Sequence, residues 1–162
     1  MGRIMTIAAW VLALALLTLL FSQWQEGQIN PNRSLTVRER DGAVEVVLQR
    51  NRYGHYVASG AIDGHPVTFL LDTGATTLSI PAATAQRLGL ERGAPYRVST
   101  ANGSITVYAT RVARVSLGPI ELRDVAAHVN PAMEGEEVLL GMSALQRLEL
   151  TQRGDELTLR TF

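Results

Sequence analysis

Residues 4–21 form an apolar run interrupted only by Thr6 and Thr18. As a helix rising about 1.5 Å per residue, it spans roughly 27 Å, close to the hydrocarbon thickness of a bilayer. Residues 25–41 then turn polar, with Gly27, Asn30, Pro31 and Asn32 and no periodic apolar face, the pattern of a short tether. From residue 42 onward the apolar positions come in short runs. Residues 44–48 and 55–58 read as strands joined by a polar turn at 51–54. Hairpins are expected around Asp63-Gly64, Asn102-Gly103 and Gly118-Pro119, and a closing pair of strands around Arg153-Gly154-Asp155. Helical character is confined to residues 81–88, with Pro81 suited to a first helical position and Gly89 as a stop, and to a single turn at 143–147. Many short strands with little helix describe an antiparallel barrel or sandwich. The expected organisation is a membrane segment at 1–24, a linker at 25–41 and one domain at 42–162.

Composition narrows the chemistry. The 162 residues carry 15 basic and 15 acidic groups, so no global field favours nucleic acid. All the basic residues are arginine, which excludes lysine Schiff-base chemistry, and the absence of cysteine removes thiol nucleophiles, disulfides and thiolate metal sites. The imidazoles of His55, His65 and His128 are scattered, without carboxylates or further histidines at ligand spacing, so no metal site is expected. In this reading His128 is a packed or edge residue of a strand, and Glu134, Glu136 and Glu137 form a solvated acidic loop.

Arg3 and the terminal amine precede the apolar run, which places the N-terminus in the cytoplasm and the remainder across the membrane. A cleaved signal peptide is the competing reading, but Ser22-Gln23-Trp24-Gln25 lacks the small residues that cleavage needs, and Trp24 suits the membrane interface. An uncleaved anchor is the expectation.

The most informative stretch is Phe69-Leu70-Leu71-Asp72-Thr73-Gly74-Ala75-Thr76-Thr77. A continuous apolar strand ends abruptly in a carboxylate, and an unpaired buried carboxylate is expensive enough to need a reason. The following glycine lets the backbone turn closely and aim the carboxylate into a cleft. Thr73, Thr76 and Thr77 bring hydroxyls that can bond to the carboxylate or across an interface. By itself the tripeptide also suits a plain turn, since Asp and Gly are ordinary turn residues.

Downstream lies Val138-Leu139-Leu140-Gly141-Met142-Ser143-Ala144-Leu145, and between the two stretches lies Thr100-Ala101-Asn102-Gly103-Ser104. This ordered trio resembles the retropepsin-like aspartic proteases, in particular bacterial, membrane-anchored members with one short catalytic domain, and covers about residues 43–162. The resemblance implies an all-β, one-lobe acid-protease barrel with one or two short helices, preceded by the transmembrane helix. It implies Asp72 as the catalytic group, supported by Thr73, Gly74, Ala75 and Thr76. It further implies a substrate-binding flap at Ala101, Asn102, Gly103 and Ser104, and a structural glycine motif at Leu139, Leu140 and Gly141. No metal or organic cofactor is implied.

Hydrolysis by this route uses two carboxylates sharing one proton. Asp63, Asp124 and Asp155 lack the apolar-strand setting of Asp72. One competent aspartate per chain implies a homodimer that places Asp72 against its symmetry mate, with Thr73 bonding across the axis. The expectation is therefore an aspartic endopeptidase of the inner membrane, its domain periplasmic, acting on peptide or protein substrates. The alternative is a catalytically weak or inactive, membrane-tethered peptide-binding or assembly module of the same fold.

Overall fold

The computed structural model describes residues 2–40, 42–100 and 103–162. Helix α1 (Gly2–Ile29) contains the apolar run, continues two turns beyond it, and buries none of its 28 residues. It is long and apolar enough to cross a membrane.

Eleven strands follow among the described residues. A four-stranded antiparallel sheet has the order β1-β2-β11-β10, built from β1 (Thr36–Arg40), β2 (Ala43–Gln49), β10 (Leu148–Arg153) and β11 (Glu156–Thr161). A seven-stranded sheet has the order β3-β4-β9-β5-β8-β7-β6. Its members are β3 (Val57–Ile62), β4 (His65–Leu71), β5 (Leu78–Pro81), β6 (Pro95–Thr100), β7 (Gly103–Leu117), β8 (Ile120–Asn130) and β9 (Val138–Leu140). Pairing of Ala61 with Ser116 and of Ile62 with Val115 joins β3 back to β7, closing this sheet into a barrel from which β6 projects. Closure covers the β3 edge that an open sheet would expose, while β6 keeps a free edge. Two short helices, α2 (Ala82–Arg87) and α3 (Met142–Leu145), complete the domain.

The expected hairpins form where the turn residues stand. Asp63 and Gly64 both take positive φ, 50° and 83°, as a tight primed turn requires. The β7–β8 turn lies at Gly118, and the β10–β11 turn at Gly154. Pro81 sits one position earlier than expected: it is the N-cap of α2, not its first helical residue.

Two expectations need correction. Residues 44–48 and 55–58 are not partners, because β2 belongs to the four-stranded sheet and β3 to the barrel. Nor is the stretch 25–41 a loose tether. Helix α1 runs to Ile29, and β1 pairs with β2 from Thr36↔Val47 to Arg40↔Ala43. The connection is held by buried asparagines. The Asn32 amide donates to the carbonyls of Gln49 (2.9 Å) and Val57 (2.7 Å), while its oxygen accepts from Gln49 N (2.7 Å). Asn30 donates to Ser59 Oγ (3.1 Å), and Asn51 donates to the carbonyl of Ile29 at the end of α1 (3.0 Å). Asparagine completes the valences of irregular backbone, which a hydropathy pattern reads only as polarity.

The core lies between the sheets. Val46, Leu48, Leu157 and Leu159 from the smaller sheet meet Phe69, Leu78, Ile80, Leu140 and Leu145 of the barrel and its helix. Phe69 and Leu140 come from adjacent strands that lead directly to the site.

Candidate active site

Strands β4 and β9 run parallel, with Phe69 beside Val138, Leu70 beside Leu139 and Leu71 beside Leu140. Both strands stop together, so Asp72 and Gly141 emerge at the same level. The Asp72 amide donates to the carbonyl of Leu140 at 3.1 Å, carrying the ladder one step past the strand. The chain then turns: Ala75 N donates to the Asp72 carbonyl (3.2 Å), and Gly74 N donates to Asp72 Oδ1 (2.8 Å). A Cβ at position 74 would stand 3.1 Å from Asp72 Oδ1, so glycine leaves the carboxylate room to accept that bond.

The loop is fixed from below by α3. Met142 N donates to the carbonyl of Ala75 (2.8 Å) and Ser143 N to that of Thr76 (2.9 Å). Leu78 N donates to Ser143 Oγ (3.1 Å), which itself donates to the carbonyl of Ala126 on β8 (2.8 Å). The approach is so close that a Cβ on Gly141 would lie 2.4 Å from the Thr77 carbonyl oxygen and 2.6 Å from that of Ala75. No side chain fits there. The glycine of Leu139-Leu140-Gly141 is thus required by the loop lying on it, whereas Leu139 and Leu140 supply the β9 ladder.

Asp72 is half-buried and Thr73 exposed. Asp72 borders two hollows. One, of about 340 Å³, is lined by Tyr56, Leu71, Thr73, Leu145, Leu150 and Leu157, together with Gln152. The other, of about 630 Å³, opens between the aspartate loop and β6, with Gly74, Ala75, Thr76 and Thr77 on one side and Tyr96, Val98, Ser99 and Thr100 on the other. His128 and Asn130 from β8 close its wall. Among the described residues lining this second hollow, Asp72 is the sole acidic side chain and none is arginine.

Thr77 was expected to turn its hydroxyl to the carboxylate or an interface. Its Oγ1 instead stands 2.7 Å from His128 Nδ1, and Tyr96 Oη stands 3.2 Å from the same nitrogen. His128 is buried, and that burial pushes its imidazole below the usual histidine pKa. The packed alternative expected for His128 is the one observed, but its bonding to the aspartate loop and to β6 left no local signal in the sequence. Ser143, given no role there, proves to be the stitch beneath the loop.

Of the expected flap residues, Ala101 and Asn102 lie outside the described residues. Gly103 and Ser104 open β7, paired with Thr100 and Ser99 of β6 in a projecting hairpin. The hollow is lined by β6, through Tyr96, Val98, Ser99 and Thr100, and not by Gly103 or Ser104. Gly103 takes φ 112°, consistent with a hairpin end at that point.

Residues 58–147 match the family model described as "gag-polyprotein putative aspartyl protease". An uncharacterised protein encoded in the cobV 5′ region of a Sinorhizobium species is 35% identical over 134 residues, 80% of this chain, and the chain spans 58% of that relative's length. Among solved structures, a retropepsin-like aspartic protease from Rickettsia conorii aligns with TM-score 0.60 and 24% identity, covering 79% of this chain and 95% of that one. The EIAV protease in complex with the inhibitor HBY-793 aligns with TM-score 0.44 and 24% identity, over 59% of this chain and 89% of that one.

Proposed function

The chain belongs to the gag-type aspartyl protease family and has the retropepsin-like fold, and from that premise we propose that it is an aspartic endopeptidase whose Asp72 supplies half of a homodimeric catalytic dyad. The observation that carries the reading is the placement of Asp72: a carboxylate at the mouth of a peptide-sized hollow, on a loop locked against Gly141.

The other aspartates among the described residues support the stoichiometry; Asp41 lies outside them. Asp63 Oδ1 accepts from Arg114 N at 2.7 Å in a hairpin turn, Asp124 pairs with Arg111 at 2.7 Å, and Asp155 faces Arg50 at 3.6 Å. None of them borders either hollow beside Asp72. A second carboxylate must then come from a second copy. The exposed Thr73 and the hollow with exposed Leu150 form the face on which that copy sits, and a symmetric pair there brings the two Asp72 side chains together.

Two carboxylates that close cannot both ionise cheaply, so the pair holds one proton. The ionised member takes a proton from a water molecule as the water oxygen attacks the scissile carbonyl carbon. The protonated member donates to the carbonyl oxygen. Collapse of the tetrahedral intermediate breaks the C–N bond, and the amine leaves with a proton returned by the dyad. The β6–β7 hairpin closes over the extended substrate and excludes water, and its backbone offers strand-like pairing.

Helix α1 anchors the enzyme as a single pass in a bacterial inner membrane. Arg3 ahead of the apolar run favours a cytoplasmic N-terminus and a periplasmic domain, and Trp24 marks the far interface. Confinement to one membrane raises the effective concentration of the two copies.

The test uses the full chain in detergent with a peptide library from acidic to neutral pH. Cleavage that disappears in Asp72→Asn, while the variant still folds and binds peptide, is the expected result, with activity following the dimer fraction in sedimentation. Activity from a strictly monomeric species, or undiminished in Asp72→Asn, would contradict the proposal.

A further inference from the structure

The lining of the hollow beside Asp72 is largely apolar, and the hydroxyls of Thr77 and Tyr96, the Asn130 amide and the His128 imidazole interrupt it. His128 is its one imidazole and only 7% exposed. It stands on β8, flanked in register by Ser79 of β5 and Ala109 of β7, with Arg111 the diagonal neighbour on β7. Tyr96 and Asp72 are the other titratable groups lining the hollow.

Two hydroxyls, those of Thr77 and Tyr96, converge on Nδ1. A hydroxyl can donate or accept, but an imidazole nitrogen carries either a proton or a lone pair. Two potential donors at one ring nitrogen favour the tautomer in which Nδ1 accepts, which puts the proton on Nε2. Among the described residues Nε2 has no hydrogen-bond partner. Nε2 is not among the fully enclosed unpartnered atoms, so it stays open to solvent, and a ligand's acceptor can take the place of water there.

We propose that His128 is a specificity-determining residue, donating Nε2–H to a carboxamide side chain of the peptide, so that glutamine or asparagine is preferred at the substrate position lodged in this hollow. A side chain of the same size without an acceptor leaves the donor unmatched. A carboxylate side chain shares the hollow with the negative charge of the Asp72 dyad and is disfavoured. Thr77 and Tyr96 act here as positioning residues: they hold the ring and select its tautomer. This inference rests on the peptidase reading above and adds the class of side chain that the site accepts.

The experiment compares peptides that differ at one position near the cleaved bond, carrying glutamine, methionine or glutamate in turn, with the full chain in detergent at neutral pH. At one position glutamine should exceed methionine by about tenfold in kcat/KM, the net worth of a single solvent-competed hydrogen bond, and glutamate should be poorer still. The glutamine preference should vanish in His128→Leu while methionine peptides are still cleaved. His128→Asn guards against misfolding, since its amide oxygen can still receive a hydroxyl but its side chain is too short to reach the substrate; it too should lose the preference. Equal rates for glutamine and methionine at every position in the wild-type chain overturn the proposal, as does a preference that survives in a folded His128 variant. Failure of the peptidase reading looks different: no peptide is cleaved at all, and both statements fall together.

Discussion

Helix α1 carries its apolar side chains outward, with Ile4, Trp10, Leu14 and Leu17 all more than half exposed, whereas Phe69, Leu78, Ile80 and Leu140 in the barrel are wholly enclosed. The side chains are of the same kind. What differs is the polar backbone around them. In α1 each interior N–H and C=O is satisfied within the helix, so the element needs no protein neighbour and suits a lipid environment. In the barrel each strand depends on its neighbours for hydrogen bonds, and burial and pairing are achieved together. The two regions meet at Asn30, Asn32 and Asn51, where side-chain amides complete backbone that neither pattern satisfies.

The comparison can be broken on one side at a time. Gly141→Ala should have the largest effect, because its Cβ would collide with two carbonyl oxygens of the aspartate loop. A loss of about 3 kcal/mol in domain stability is expected, read by chemical denaturation, together with loss of peptide cleavage. Membrane association should be untouched. Leu14→Arg attacks the other side, with a penalty of about 2.5 kcal/mol for a charge at the centre of a span. The membrane fraction should fall while the unfolding midpoint of the domain stays where it was; an equal fall in both would show that the regions are not separable.

Asn32→Ala tests the joint. It leaves the Gln49 and Val57 backbone groups without their amide partner, at a cost of about 2 kcal/mol. Faster hydrogen exchange should be confined to residues near 30–36 and the start of β3, with the aspartate loop unaffected. The smallest effect is that of pH on His128. Burial lowers its pKa, so the folded state favours the neutral ring relative to the unfolded chain. That contribution is present above about pH 6.5 and is lost as pH falls through the lowered folded value. The stability of the wild-type chain should therefore decline more steeply on acidification than that of His128→Asn; parallel curves would remove His128 from the linkage.

Much of this molecule is legible one segment at a time. Asp63-Gly64 makes its hairpin because the turn is specified by two adjacent residues, and the run at 4–21 makes a helix because its pattern is continuous. The aspartate loop is legible for the same reason, as an apolar strand and its turn. Segment 25–41 was harder to read. Its asparagines have the composition of a linker, and their partners lie as far away as Gln49, Val57 and Ser59.

The order of residues alone determined an apolar helix long enough for a membrane, a series of short strands fitting a barrel or a sandwich, and an aspartate at the end of one of them, since each depends on propensity and periodicity over a few neighbouring positions. Only the tertiary structure decided that Gly141 must be glycine, that β2 and β3 part into different sheets, and that His128 receives Thr77 and Tyr96 beside Asp72. Those outcomes depend on contacts between positions tens of residues apart, where close packing and the pairing of buried polar groups act across space and leave no periodic trace along the chain.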